Sequence, residues 1–385
     1  MAMPATGVAR DPLVLVHYMA WYESKPASGA WGWHWTMGHF DPEVTGGDGR
    51  RQIASHDGPL IGPYDSGDDD ALECQVLLMK LAGIDGVVVD WYGTSDFRDY
   101  AMIHRNTQRL IGRVKQAGLK FAICYEDQSI KHMVEAGRVT AAGGIDEAAK
   151  AMKWLDQHCF RDEAYVTLSG RPVLMVFGPQ HFTAPQWPEV LAGVDHRPKL
   201  FGLPHLARET GMDGAFGWPP VSGGSEIPRE TWLDYLKDLH SRETVISVAF
   251  PGYHDIYQEA GLHDRYGFID AREGKTFGET LALARDSAAA IIQIATWNDY
   301  GEGTGIEPAD KSGFRYLEVV QDSFGSGASA ADLRLPVLLY QLRKSHGGDP
   351  LLAAKLESAS KLLHAGKTAD ARKLLEAVRA GVPAE

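Results

Sequence analysis

Residues 290–308 read AIIQIATWNDYGEGTGIEP. The first part, 291–296, is a short β-branched apolar run of the kind that forms a buried strand. The pattern then breaks. Trp297, Asn298, Asp299, Tyr300, Gly301, Glu302 and Gly303 place two carboxylates three positions apart among aromatic rings and glycines. Glycine lets a backbone bend sharply and come close to a ligand. The segment is therefore either a strand end capped by solvated acids or one wall of a chemical site.

Seven earlier runs have the same apolar character: 13–19 (LVLVHYM), 84–91 (IDGVVVDW), 119–125 (LKFAICY), 172–177 (PVLMVF), 199–203, 212–218 (MDGAFGW) and 244–250 (TVISVAF). Segments of helical periodicity lie between most of them, at 68–82, 100–117, 145–158, 187–194, 228–241 and 276–289. Eight strand runs alternating with helices predict an α/β chain folded as a closed (β/α)8 TIM barrel. No Gly-rich dinucleotide fingerprint follows the first strand and no Walker motif occurs, so a nucleotide-binding reading has no support. The expected division is a barrel domain over 1–330 and a helical C-terminal appendage over 331–385. Within the appendage, 332–344 is expected to be the last barrel helix. Two Ala/Leu/Lys-rich helices, broken at Gly366, follow over 351–380. They either pack on the barrel's outside or serve a partner.

With 385 residues, 44% of them hydrophobic, the chain has ample material for one large core. A net charge of −13 with no basic cluster argues against nucleic acid or an anionic membrane as partner. No apolar run is long enough to span a bilayer. Cys74, Cys124 and Cys159 are widely spaced, with no CxxC pattern, so neither a disulfide framework nor a zinc motif is implied, and Cys124 reads as a buried core thiol. The first twelve residues, MAMPATGVARDP, hold no signal-peptide apolar core. That pattern is expected of a cytoplasmic protein, or of a secreted or periplasmic one whose chain has been trimmed. The segment 21–64 has little periodicity but is rich in Trp, including Trp31, Trp33 and Trp35. A loop of that length in a compact domain is usually functional, and its rings either line subsites or pack the loop.

In a barrel of this type chemistry lies at the carboxyl ends of the strands. Those ends carry His17, Tyr18 and Trp21; Asp90, Trp91 and Tyr92; Glu126; Trp218; Tyr253 and His254; and Asn298, Asp299, Tyr300 and Glu302. Aromatics and carboxylates dominate. No HxH or HExxH motif occurs, so no metal or other cofactor is expected. Flat rings suit the C–H faces of a pyranose, and cleavage of a glycosidic bond needs two carboxyl groups, one an acid and the other a base or nucleophile. Two acids in one apolar loop push each other's pKa apart, which assigns those roles.

Residues 298–308, NDYGEGTGIEP, resemble the signature that follows the last strand of glycoside hydrolase family 99, the endo-α-mannosidases and endo-α-mannanases; 298–302 also resembles family 71, the α-1,3-glucanases. The segments PLIGPYDSGDD, GIDGVVVDWYG, GLKFAICYEDQ, GRPVLMVFG, MDGAFGW and SVAFPGYHD follow the family 99 order. The resemblance spans roughly residues 13–323. It implies an endo-acting glycosidase for an α-linked oligo- or polysaccharide, with Glu302 as general acid and Asp299 as base. In family 99 the base is a Glu that deprotonates the sugar's own 2-hydroxyl; here it is Asp299, one methylene shorter, which raises an inverting route with activated water. The signature's His and Trp are replaced by Gly301 and Tyr300, so α-glycosidase is better supported than mannosidase.

Several residues keep two readings. Tyr253 either touches sugar or packs in the core, and His254 either contacts sugar or caps a turn. Glu126 either faces the site or joins an ion pair, and Asp90 with Trp91 is either a mouth pair or structural. Glu307 is expected to be a structural acceptor. A non-catalytic carbohydrate-binding barrel, or a scaffold using the C-terminal helices, stands as the alternative to an enzyme.

Overall fold

Side-chain alternation along β1 (Leu13–Met19) separates the inside of the sheet from its outside. Val14, Val16 and Tyr18 join the layer under the helices, whereas Leu15 joins the barrel interior. The computed structural model describes residues 12–346 and 349–381. The N-terminal stretch behind the cytoplasmic expectation, and part of the turn expected at 346–350, lie outside the described residues.

β1 pairs in parallel with β2 (Gly86–Trp91), which pairs with β3 (Lys120–Tyr125). The order continues through β4 (Arg171–Val176), β5 (Lys199–Gly202), β6 (Gly214–Phe216), β7 (Val245–Ala249) and β8 (Ile291–Ile294). β8 returns to β1 with Leu13 opposite Ile291, so the eight parallel strands close on themselves. Leu15, Val88, Ala122, Met175, Phe201, Phe216 and Ile246 plug the interior. Truncating either Phe to Ala would cost about 3–5 kcal/mol. This is the expected (β/α)8 barrel.

The main helices are α1 (Asp69–Ala82), α2 (Tyr100–Gln116), α3 (Ala141–His158), α4 (Trp187–Val190), α5 (Arg229–His240), α6 (Lys275–Arg285), α7 (Arg315–Phe324), α8 (Arg334–His346), α9 (Pro350–His364) and α10 (Thr368–Arg379). Asp68 caps α1 by accepting the Asp70 N–H at 3.0 Å. Buried residues surround nearly all of α1, because the barrel covers one side and α8 the other. One expectation is corrected here. The helix that closes the ring is α7, packed on both α6 and α1, and not the segment at 332–344. That segment forms most of α8, which lies on the outside of α1. α8, α9 and α10 bury Leu335, Leu339, Leu356, Leu363 and Leu375 against Leu77 of α1. Arg343 ties this tail to the barrel through Asp70 (3.1 Å) and the buried Glu73 (3.0 Å). No helix among the described residues is long and apolar enough to cross a membrane.

Candidate active site

Beyond β8 the backbone makes a tight loop clamped by two threonines. Thr296 Oγ1 accepts the Asp299 N–H at 2.8 Å and lies 3.0 Å from Thr304 Oγ1, while Thr304 N–H donates to the Asp299 carbonyl at 3.2 Å. The loop's outer edge pairs with residues 254–256, where His254 N–H donates to the Glu302 carbonyl at 2.9 Å and Ile256 N–H to that of Gly301 at 3.0 Å. Gly303 sits at φ +65°, and a Cβ there would lie 2.5 Å from the His254 carbonyl oxygen, so only glycine fits. Asp299 and Glu302 are thereby fixed on one short turn at the barrel mouth.

Glu302 N–H donates to Asp299 Oδ1 at 3.0 Å, and Trp218 Nε1–H donates to Glu302 Oε2 at 3.0 Å. Asp299 is buried and Glu302 partly so. Burial raises the Asp299 carboxyl to about 7, and the charge of Asp90 adds to it. Burial, then the charge of Asp299, raises Glu302 to about 8, against the hydrogen bond from Trp218 that favours its charged form. Asp299 is thus a cause of Glu302's shift, which leaves Glu302 as the later of the two to ionise. Glu126 is also buried and its carboxyl is pushed well up, first by burial and next by Asp90.

Most of the residues singled out in the sequence converge here. Asp90 acts on the Asp299, Glu126 and Tyr92 side chains. His17 lies 3.8 Å from Asp90 and packs edge-on against Trp218, with ring centroids 5.0 Å apart. Tyr253 is fully buried beside Glu302. Trp21 stacks face to face on His34 at 4.1 Å, and His34 feels the charge of Asp90.

Five residues expected to meet substrate have side chains engaged elsewhere than at the Asp299–Glu302 pair. Tyr18 points out of the barrel, and its hydroxyl donates to Gln75 Oε1 on α1 at 2.6 Å. Trp91 also faces the helices, where its Nε1–H donates to His104 Nδ1 at 3.1 Å. Asn298 is fully buried; it accepts the Met19 N–H at 2.8 Å and donates to the Met19 carbonyl at 3.0 Å and to Tyr64 Oη at 2.8 Å. Tyr300 donates its hydroxyl to Glu307 Oε2 at 2.7 Å under Trp35. His254 alternates to the face opposite Tyr253 and stacks on His56 at 3.7 Å. Strand alternation explains Tyr18 and Trp91: each lies one position from an inward residue, His17 and Asp90. Glu307, buried and accepting from Tyr64, Tyr300 and Gln75, is the anchor of this network.

The N-terminal tryptophans divide. Trp35 is fully buried with Tyr22, Tyr64 and Tyr300, Trp31 donates to Glu43 at 2.8 Å, and Trp33 is 49% exposed. Two residues were missed in the sequence, Tyr257 and Tyr266. Burial raises the Tyr257 phenol, then the charges of Glu302 and Asp299 do, so it stands beside the pair. Tyr266 meets Tyr257 edge-on at 5.7 Å and forms an outer rim. Both lie in the unpatterned stretch after PGYHD, where periodicity carries no signal. A second surprise is Cys124, whose thiol joins His17 and Asp90 within 4.8 Å of one another.

No family model matches the chain, and no curated protein matches it. Solved structures do. A structure described as a glycoside hydrolase-like protein has a similar barrel, superposing with a TM-score of 0.56 at 14% identity, over 84% of this chain and 97% of the other. More particularly, this chain is similar to the family 99 endo-α-mannosidase of Bacteroides thetaiotaomicron, with a TM-score of 0.59 at 18% identity over 84% of this chain and 100% of that one. A second structure of that enzyme, in complex with bis-tris-propane, gives 0.57 at 19% over 79% and 88%. At these identities the likeness is one of fold.

Proposed function

We propose that this protein is a glycosidase that hydrolyses an α-linked oligo- or polysaccharide, with Glu302 as general acid and Asp299 as general base. The observation that carries the proposal is the turn beyond β8, where the Glu302 N–H donates to Asp299 Oδ1 at 3.0 Å, Trp218 holds Glu302 Oε2 at 3.0 Å, and burial raises both carboxyls. Near neutral pH the pair holds one proton more readily than none or two. Glu302 passes that proton to the departing glycosidic oxygen as its bond to the anomeric carbon breaks. Asp299 takes a proton from the group that attacks the anomeric carbon. That group is either the sugar's own 2-hydroxyl, as the family 99 resemblance implies, or a water, as the shorter Asp299 and the family 71 resemblance imply. Trp218 and Tyr257, both partly exposed, supply flat faces beside the pair, and Trp21 stands farther out.

The test is incubation with α-mannans, α-1,3-glucans and other α-linked oligosaccharides, following the anomer of the fresh product by NMR. An α-product supports the 2-hydroxyl route, and a β-product supports attack by water. Binding without any product would replace the proposal with a non-catalytic sugar-binding barrel.

A further inference from the structure

His17 and Asp90 are fully buried polar residues at the top of an apolar plug, and their unpaired atoms need a partner. Neither His17 nitrogen has a hydrogen-bond partner, nor does Asp90 Oδ1. A buried group left unpaired keeps the full cost of its lost hydration. Their 3.8 Å separation is too long for a hydrogen bond. It is close to the roughly 3.3–3.8 Å that separates two ligands of one tetrahedral ion at bond lengths of about 2.0–2.3 Å.

A third donor completes the group. Cys124 Sγ, a His17 nitrogen and an Asp90 oxygen all lie within 4.8 Å of one another. The three come from adjacent strands, β1, β2 and β3, and Asp90 is the register partner of Cys124. Such placement is rigid, because each ligand sits on a strand of the closed barrel.

We propose that His17, Asp90 and Cys124 bind a zinc ion. One imidazole, one carboxylate and one thiolate form a donor set for a borderline-soft divalent metal, and a thiolate disfavours magnesium and calcium. Three protein ligands leave a fourth position that a water would fill. Binding replaces the thiol proton, so zinc uptake releases a proton to solvent. His17 also packs edge-on against Trp218, which donates to Glu302. The ion is thereby two side chains away from the acid without touching it. The site stands on its own donors and does not depend on the glycosidase reading.

The test uses the full chain, stripped with a chelator and dialysed against Zn2+ or Co2+. Elemental analysis is expected to find one equivalent of metal. The cobalt form is expected to show a thiolate-to-metal charge-transfer band that Cys124→Ser removes, and Asp90→Asn is expected to weaken binding by more than the roughly 10–100-fold that loss of an outer-shell partner alone causes. On the unaltered protein, Zn2+ is expected to raise the Tm and chelator to reverse it, a readout that needs no variant to fold. Uptake that stays substoichiometric, with no change in Tm, would overturn the proposal and leave a buried water as the partner of His17 and Asp90. Binding unchanged in both variants would overturn it as well. Asp299→Asn is expected to keep full metal uptake, so loss of hydrolysis and loss of metal are read separately.

Discussion

The indole Nε1–H of Trp218, just beyond β6, donates to Glu302 Oε2 on the β8 loop at 3.0 Å. This bond crosses the barrel mouth and fixes one oxygen of the group assigned as the acid. It favours the charged carboxylate, opposing the burial that favours the neutral one.

Trp218→Phe keeps the ring and removes the donor. The Glu302 pKa then rises further, so the alkaline limb of the rate profile moves to higher pH. The maximal rate falls by about 3–10-fold, the equivalent of one hydrogen bond. A pH–rate series on both proteins checks this, and superimposable profiles would refute it.

Activity is expected to follow a narrow bell. The base must be charged and the acid protonated, so kcat/KM rises as the pair first ionises and falls as it ionises again. With Asp299 near about 7 and Glu302 near about 8, the maximum lies between those values. The two limbs belong to the pair as a coupled unit. A plateau extending well below pH 6 would contradict the burial-driven shift.

Both carboxyls bind protons more tightly in the folded chain than in the unfolded one, where they titrate near ~4. Their contribution to stability is therefore fully present below that pH and is lost as pH rises through about 7 and about 8. Glu302→Gln removes one of these groups. Its stability relative to the parent, read from melting curves, is expected to improve between pH 5 and pH 9, on the order of 1–3 kcal/mol at the alkaline end. Parallel melting curves across that range would show that the shift is absent.

Tyr18→Phe and Asn298→Ala separate structural residues from those that face the site. Tyr18 donates only to Gln75 behind the barrel wall, so its loss costs about 1 kcal/mol and leaves turnover intact. Asn298 makes three side-chain hydrogen bonds that join the β8 loop to β1 and Tyr64. Removing them is expected to cost about 2–4 kcal/mol and to lower both Tm and activity. Denaturant melts with parallel assays on each variant measure this. A large loss of turnover in a well-folded Tyr18→Phe protein would contradict the outward placement of Tyr18.

The barrel was legible because eight apolar, strand-like runs alternate with helical segments, and because several of the runs end in aromatic and acidic residues. The Asp299–Glu302 turn was legible because carboxylates, aromatics and glycines are crowded into seven residues. Inward and outward positions were harder to separate. Strands covered on both faces are apolar throughout, so Tyr18 and His17, or Trp91 and Asp90, look equally suited to the mouth. The role of α7 was not recognised although Tyr316, Leu317 and Val320 recur at helical spacing, because the ring-closing place was assigned to the leucine-rich 332–344 segment that follows. Tyr257 and Cys124 were not singled out as site residues for another reason: their neighbours come from distant parts of the chain, and no local spacing records such contacts.

The most direct test of the account compares the parent protein with Glu302→Gln and Asp299→Asn on the same panel of α-linked oligosaccharides, with products followed by NMR and sugar binding by calorimetry. The account predicts a defined anomeric product from at least one α-linked sugar, a rate lower by about 10²–10⁴-fold in each variant, and binding that survives in both. Sugar bound without product by the parent protein, or turnover unchanged in the variants, would contradict it.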